Sequence, residues 1–248
     1  MISLPDGYSL SVHETLDSTN SQAMRMAGEG AASGLWVWAR SQSGGRGRLG
    51  RRWESLPGNL FASLLLHTHC APGQIAQLGF VAGLALHDAV TGLSGATLQS
   101  LTLKWPNDLL LDGLKAGGIL LESTSQSDGR QRVVTGIGLN LTAHPETVDH
   151  PATDLSAHGI KAAPDQALEK LAFAFDTWLE VWSAGAGFAE IRSAWSERAL
   201  AKNSPIRVRL ADELLEGMYL GIDGTGALML ALSDGSKRCI TTGDVFPL

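Results

Sequence analysis

The sequence predicts an α+β protein: a mixed, largely antiparallel sheet with flanking helices, followed by a small C-terminal β-barrel. Three observations carry that expectation. Short apolar runs of strand length alternate with longer runs at helical spacing as far as Ala199. From Pro205 onward the helical spacing gives way to period-2 alternation, punctuated by Asp223-Gly224 and Asp234-Gly235, as in a string of β-hairpins. Glycine supplies 29 of 248 residues without a collagen period, which puts the excess in turns and in loops that approach a ligand closely. The change of pattern places a boundary near Lys202-Asn203, giving a larger unit of residues 1–202 and a smaller one of 203–248.

The elements follow from local chemistry. Ser18-Thr19-Asn20 are capping residues, the helix formers Gln22 to Ala27 come next, and Gly28 and Gly30 end the run, so a short helix is expected there. Leu35 to Ala39 reads as a buried strand that opens into a polar glycine loop, Ser41 to Gly50. Leu60 to His67 is a second strand. Gly73 to Leu93 carries Ile75, Leu78, Ala82, Ala85 and Ala89 at helical spacing and should pack on the sheet. Leu98 to Lys104, Leu109 to Leu111, Gly117 to Glu122 and Arg132 to Leu139 read as strands. Leu168, Leu171, Phe175, Leu179 and Trp182 give one face to a long helix over Asp165 to Ser183, and Ala186 to Ala199 forms another.

Composition narrows the function. Hydrophobic residues make up 44% and charged residues 18%, the reverse of a disordered chain. A net charge of −6 argues against a general nucleic-acid coat. The two cysteines, Cys70 and Cys239, fit a reducing cytoplasm, and the N-terminus lacks a signal-peptide pattern. The most apolar stretch, Leu78 to Val90, is broken by His87 and Asp88 and is too short to span a bilayer.

Against that acidic background, five of the 19 basic residues fall between Arg40 and Arg52, with no acid among them. Ser43-Gly-Gly-Arg-Gly-Arg-Leu-Gly-Arg-Arg-Trp53 interleaves arginines, which offer forked donors to phosphate or carboxylate, with glycines that let backbone N–H groups come close. This is the pattern of an anion-binding loop, although most charge runs are merely solvated. Gly45 to Gly50 formally matches G-x-G-x-x-G. A dinucleotide site would need a helix directly after it and an acid about 20 residues on, and neither is present. No Gly-Lys-Ser/Thr ending marks a Walker loop, and no aromatic platform marks a nucleic-acid surface.

A second cluster is Lys104-Trp105-Pro106-Asn107-Asp108, followed by Asp112-Gly113 and Lys115-Ala-Gly-Gly118. A hairpin turning at Asp112-Gly113 would bring Asp108 and Lys115 toward one end of the sheet, and the small residues after Lys115 leave room for a ligand. Taken alone, Asn-Asp beside proline is ordinary turn chemistry, and Trp105 suits a core or rim anchor. His67 and His69 have the spacing of a metal pair but also of a solvated strand end. His144, His150 and His158 fall in a proline-containing loop region without a function, and Glu122 ends a strand.

Together the segments resemble the biotin protein ligases. Gly45 to Trp53 fits G-R-G-R-x-G-R-x-W, Lys104 to Asp108 fits K-W-P-N-D, and Lys115 to Glu122 fits a lysine followed by a small-residue Gly-Ile-Leu-x-Glu strand. Ser18-Thr19-Asn20 matches an early S-T-N, Gln42 the glutamine before the arginine loop, and Gly136 to Asn140 a G-x-G-x-N. The motifs fall in family order from residue 18 to 140. Leu49 departs from the many relatives that carry a third arginine in the loop.

The resemblance implies a class II synthetase-like catalytic domain and an SH3-like C-terminal barrel. It implies an enzyme that makes biotinyl-5′-AMP from biotin and ATP and transfers biotin to a lysine of a biotin carboxyl carrier domain, of acetyl-CoA carboxylase or another biotin-dependent carboxylase. With 17 residues before Ser18, it implies the enzyme without the DNA-binding repressor domain of regulatory members; a homodimer remains open, and no membrane is involved. By resemblance, Lys115 and Arg48 act on the reacting carboxylate and α-phosphate, and Asp108 orients or deprotonates the incoming amine. Ser18, Thr19, Asn20, Gln42, Gly45, Arg46, Gly47, Arg48, Lys115 and Gly118 match positions that meet biotin. Arg48, Arg51, Trp53, Asn107, Lys115 and Asn140 match positions at the nucleotide. Magnesium would be held mainly by phosphates, with no protein metal site. The alternatives are a lipoate or octanoate ligase, whose members lack the arginine loop and the Lys-Trp-Pro-Asn-Asp run, and a nucleic-acid or ligand-binding module.

Overall fold

A computed structural model describes residues 2–95, 100–146 and 151–248. Its first sheet contains β1 (Ser9–Leu16), β2 (Leu35–Gln42), β3 (Leu60–Thr68), β4 (Leu101–Lys104), β5 (Asp108–Leu111), β6 (Leu114–Ser125) and β7 (Gln131–Leu139). They lie in the order β1-β2-β3-β7-β6-β5-β4. Only β1 and β2 run parallel; every other neighbouring pair is antiparallel. Edge strand β1 escapes the sequence reading because it is half-exposed and lacks a continuous apolar run. The expected strand from Leu98 begins at Leu101 among the described residues; positions 98 and 99 lie outside them.

The two faces of this sheet differ, and the difference makes the site. One face is covered by α3 (Leu78–Ser94) and α4 (Pro164–Trp182), with the short α2 (Pro72–Ile75) ahead of them and α5 (Phe188–Arg198) behind. Trp36, Leu64, Leu84 and Phe175 are fully buried there, and the Trp36 and Phe175 rings meet edge to face at 5.9 Å. By length and composition the stretch 73–94 is apolar enough to cross a bilayer, which corrects the shorter reading of it; here it is a core helix, most of it buried against sheet and α4. Among the described residues the other face carries only α1 (Thr19–Gly28), which packs Ala23 and Ala27 on Leu35, Val37, Leu65 and Val134. α1 covers the Leu65 and Val134 end of β3 and β7; among the described residues no helix stands over the other end, around Phe61, Gly118 and Gly138.

The C-terminal strands β8 (Pro205–Arg209), β9 (Leu214–Ile222), β10 (Leu228–Ala231), β11 (Lys237–Ile240) and β12 (Asp244–Pro247) form a five-stranded antiparallel sheet in the order β11-β10-β9-β8-β12. The edges β11 and β12 do not pair, so the sheet stays open rather than closing into the expected barrel. β12 faces the larger sheet instead: the buried Lys104 Nζ donates to Val245 O at 3.0 Å. Trp105 is the expected anchor, its Nε1 donating to Gly226 O at 3.0 Å. Gly226 has φ +89°, and a Cβ there would lie 2.6 Å from the Phe80 ring, so the close approach requires glycine.

Candidate active site

The uncovered end of this sheet face is the floor of a cavity of about 500 Å³. Its floor is bare because the sequence puts glycines there. Gly118 on β6 and Gly138 on β7 are cross-strand partners, and a Cβ at Gly138 would stand 2.5 Å from the Trp53 indole. The glycines of the G-x-G-x-N motif therefore make room for Trp53 and for the Asn20 side chain, which lies directly over Gly136.

Lys115 owes its place to an irregularity. In a regular strand, positions 115 and 118 would face opposite sides of the sheet. The β5–β6 register shifts between Leu109 and Leu110, so that Leu109 pairs with Gly117 and Leu110 with Lys115, leaving Ala116 as an extra residue. This bulge turns Lys115 onto the cavity side beside Gly118. From behind, the 151–153 segment holds its backbone: Lys115 N donates to Pro151 O, and Thr153 N donates to Lys115 O, each at 2.9 Å. The Lys115 ammonium lies 5.6 Å from the centre of the Trp53 ring.

Asp108 is buried between two lysines. Its Oδ1 is 2.6 Å from Lys115 Nζ and its Oδ2 is 2.9 Å from Lys104 Nζ. Burial alone would raise its pKa, but the two ammonium groups, Lys115 first, overcome that and lower it to about 2. The geometry has Asp108 orienting Lys115.

The arginine loop closes on itself. Arg46 and Arg52 form an isolated bridge, Gly47 N donates to Arg51 O at 2.7 Å, and Trp53 N donates to Gly45 O at 2.9 Å. A Cβ at Gly45 would be 2.5 Å from Trp53 O. Arg48 reaches Asn107 Oδ1 and Gly243 O, both at 3.3 Å, while Arg51 Nη2 pairs with Asp244 Oδ1 at 2.7 Å. Burial lowers the Arg48 pKa, opposed by Asp244 and Asp108. Leu49 sits at φ 55° and is 74% exposed, so the residue that departs from the motif points away from the cavity.

The opposite wall is a polar network. Ser18 caps α1 by accepting from Ser21 N. Gln42 Oε1 accepts from Thr19 N at 2.8 Å, and Gln42 Nε2 donates to Ser55 Oγ at 3.1 Å. Ser63 Oγ sits 2.7 Å from Thr19 Oγ1 and 2.6 Å from Asn20 Oδ1. Asn140 is buried, its Nδ2 donating to Thr153 O at 3.0 Å.

The structure thus brings every expected site residue to one cavity except Gly45, which shapes the loop from behind. Sequence reasoning missed several contributors. Asp244 comes from the far C-terminus, and no local motif announces it. Ser63 lies in an apolar run and Glu122 lies within β6 rather than at its end. His144 pairs with Asp154 at 2.7 Å, and His158 pairs with Asp112 of the β5–β6 turn at 2.8 Å, so both histidines brace the segment behind Lys115. His150 lies outside the described residues. His67 faces Arg132 across the ladder; its pKa is lowered by burial and then by Arg130 and Arg132, a setting unsuited to a cation. Among the described residues no three His, Cys, Asp or Glu gather as a metal site.

A bare glycine floor, a charged loop over it and a lysine–aspartate pair at its end define an adenylate-forming ligase site. The chain belongs to the biotin/lipoate A/B protein ligase family, whose model matches residues 12–140, and residues 203–246 match the biotin protein ligase C-terminal domain. It is 40% identical over 239 residues to the biotin--[acetyl-CoA-carboxylase] ligase of Paracoccus denitrificans, covering 93% of this chain and 97% of that protein. The bifunctional ligase/repressor BirA of Bacillus subtilis (strain 168) is 31% identical over 94% of this chain and 72% of its own length. The fold also matches the biotin protein ligase from Aquifex aeolicus in complex with biotin and ATP, at 25% identity and a TM-score of 0.80, over 97% of this chain and 99% of that one.

Proposed function

We propose that this protein is a biotin protein ligase that forms biotinyl-5′-AMP from biotin and ATP and then transfers biotin to a lysine of a biotin carboxyl carrier domain. The observation that carries the reading is the convergence of Lys115, Arg48 and Arg51 on one side of a cavity whose other side is the Ser18–Asn20, Gln42 and Ser63 network. A carboxylate that must attack a phosphate needs positive charge at the meeting point and convergent polar groups around the rest of the acid.

In the first step the biotin carboxylate oxygen attacks the α-phosphorus and pyrophosphate leaves. Lys115 sits between the two anions, and Asp108 aims it. Arg48 stands over the α-phosphate, and Arg51, Trp53, Asn107 and Asn140 surround the nucleotide. Ser18, Thr19, Asn20, Gln42 and Gly118 surround the biotin rings, while Gly45, Arg46 and Gly47 shape the loop over its carboxyl end. In the second step the carrier's amine attacks the acyl carbon and AMP leaves. The closed loop keeps water from the mixed anhydride until then. Magnesium would be held mainly by the phosphates: of the carboxylates lining the cavity, Asp108 and Asp244 are ion-paired, and Glu54 alone does not make a cage.

We assign residues 1–202 to catalysis and 203–248 to a module that closes the nucleotide end through Asp244. The free thiols of Cys70 and Cys239 suit the cytoplasm. Two cations of the loop are paired with acids, Arg46 with Glu122 and Arg51 with Asp244, which disfavours a nucleic-acid role. Purified protein incubated with biotin, ATP and a carrier domain should release pyrophosphate and AMP and label one lysine. Lipoate that is activated in preference to biotin, or salt-steep DNA binding without pyrophosphate release, would overturn the reading.

A further inference from the structure

Glu122 has no part in the binding or chemistry described above, yet it sits where the arginine loop meets the opposite wall. It belongs to β6 on the same face as Gly118, four residues on. Its Oε2 accepts from Arg46 Nη2 at 2.8 Å and from Asn20 Nδ2 at 2.8 Å. Arg46 also donates to Ser21 Oγ at 3.2 Å, so its guanidinium is tied to the sheet and to α1 at the wall of the cavity. Beyond Asn20 the contacts continue without a gap: Asn20 Oδ1 to Ser63, Ser63 to Thr19, Thr19 to Gln42, and Gln42 to Ser55. Gln42 lies just before the arginine loop and Ser55 just after it, so the chain begins and ends on the loop and crosses the proposed biotin wall in between.

We infer that Glu122 is a positioning residue that latches the arginine loop through Arg46 and, through Asn20, makes that latch depend on the biotin wall. The inference rests on the biotin ligase reading and adds a residue to it. Glu122 is a single acid that meets both the loop's Arg46 and the wall's Asn20. With the wall ordered around a bound ring system, Asn20 holds the carboxylate in place for Arg46. With Arg46 engaged, Asn20 is in turn fixed. The effect is modest because Arg46 and Glu122 are partly exposed, at 44% and 29% of their side chains, which places the coupling at about three- to tenfold.

The test is a double-mutant cycle on Glu122→Gln and Arg46→Ala, read as the rate at which preformed biotinyl-AMP escapes from the protein. Each single variant should speed escape by about three- to tenfold, and the double variant should be no faster than either. In Glu122→Gln the biotin KM should rise, while the rate of transfer from saturating, externally added biotinyl-AMP to the carrier stays unchanged; general misfolding would lower that rate as well. Additive effects in the double variant, or wild-type retention in Glu122→Gln, overturn the latch. Arg46→Gln, on an exposed loop, keeps the question decidable should a β6 variant fold poorly: retention equal to wild type there also overturns it. Wild-type protein that forms no biotinyl-AMP at all refutes the ligase reading instead, a result distinct from any of these.

Discussion

Lys115 and Asp108 are seven residues apart in the chain and 2.6 Å apart in space, joined across the β5–β6 turn. The contact makes Lys115 a directed charge rather than a flexible one, and it explains why an aspartate sits at a nearly dry position. Asp108 also neutralises Lys104, which is 5% exposed and donates to the Val245 carbonyl as well. One carboxylate thus connects the reacting end of the cavity to the C-terminal sheet.

Asp108→Asn removes the charge and keeps the shape. It leaves Lys104 as a buried cation without its counter-ion, for which breaking a buried pair costs about 3–5 kcal/mol. Denaturant titration should show a loss of that order. Pyrophosphate release should fall as well, because Lys115 loses its aim. Lys115→Ala should nearly abolish adenylate formation with a much smaller loss of stability, since Lys115 is a quarter exposed. Equal stability losses for the two variants would contradict the division of labour.

The same pair predicts an acid limb. The folded pKa of Asp108 is about 2, below the ordinary 3.8. Its contribution to stability is therefore fully present above pH 3.8 and is lost as the pH falls through about 2. Wild-type stability should drop across that window, and Asp108→Asn should flatten the part of the drop that Asp108 causes. Urea titrations at a series of pH values read this directly. A difference between wild type and variant that first opens between pH 6 and 8 would assign the transition to another group.

Much of this was legible in the sequence, and for a physical reason. Capping residues, helical spacing and Asp-Gly turns act locally, so α1, α3, α4, the β5–β6 turn and the C-terminal strands can be read from a few neighbouring residues. The loop glycines and arginines are visible because their composition is improbable in an acidic chain. What stayed hidden depends on distant partners. β1 is recognisable only once β2 lies beside it. The bulge at Ala116 is a matter of register. Asp244 joins the site because β12 pairs with β8, and Ser63 looks like one small residue in a buried strand until Thr19 and Asn20 are packed on it.

Arg48→Gly should loosen retention rather than block the first step. Arg48 holds the loop to Asn107 and to Gly243 O, and its loss should open that end of the cavity. Single-turnover experiments should show biotinyl-AMP released to solvent. Incubation with unrelated proteins should then give diffuse labelling of their lysines. Undiminished retention would mean that loop closure does not depend on this arginine.

Gly138→Ala tests the floor without touching any charged group. Position 138 is the last residue but one of β7, with no positive φ, so the backbone tolerates alanine there, and the added methyl would stand 2.5 Å from the Trp53 indole. The indole must therefore move, and with it the cation–π contact to Lys115, worth about 0.5–2 kcal/mol. The expected result is a folded protein with altered tryptophan fluorescence and adenylation slowed by about tenfold, since a displacement near 1 Å at a reacting centre can cost more than that. Gly73→Ala is the matched control, because nothing lies within 4 Å of its added Cβ. If Gly138→Ala forms adenylate at the wild-type rate while its tryptophan signal shifts, Trp53 is a wall of the cavity and takes no part in placing the reactants.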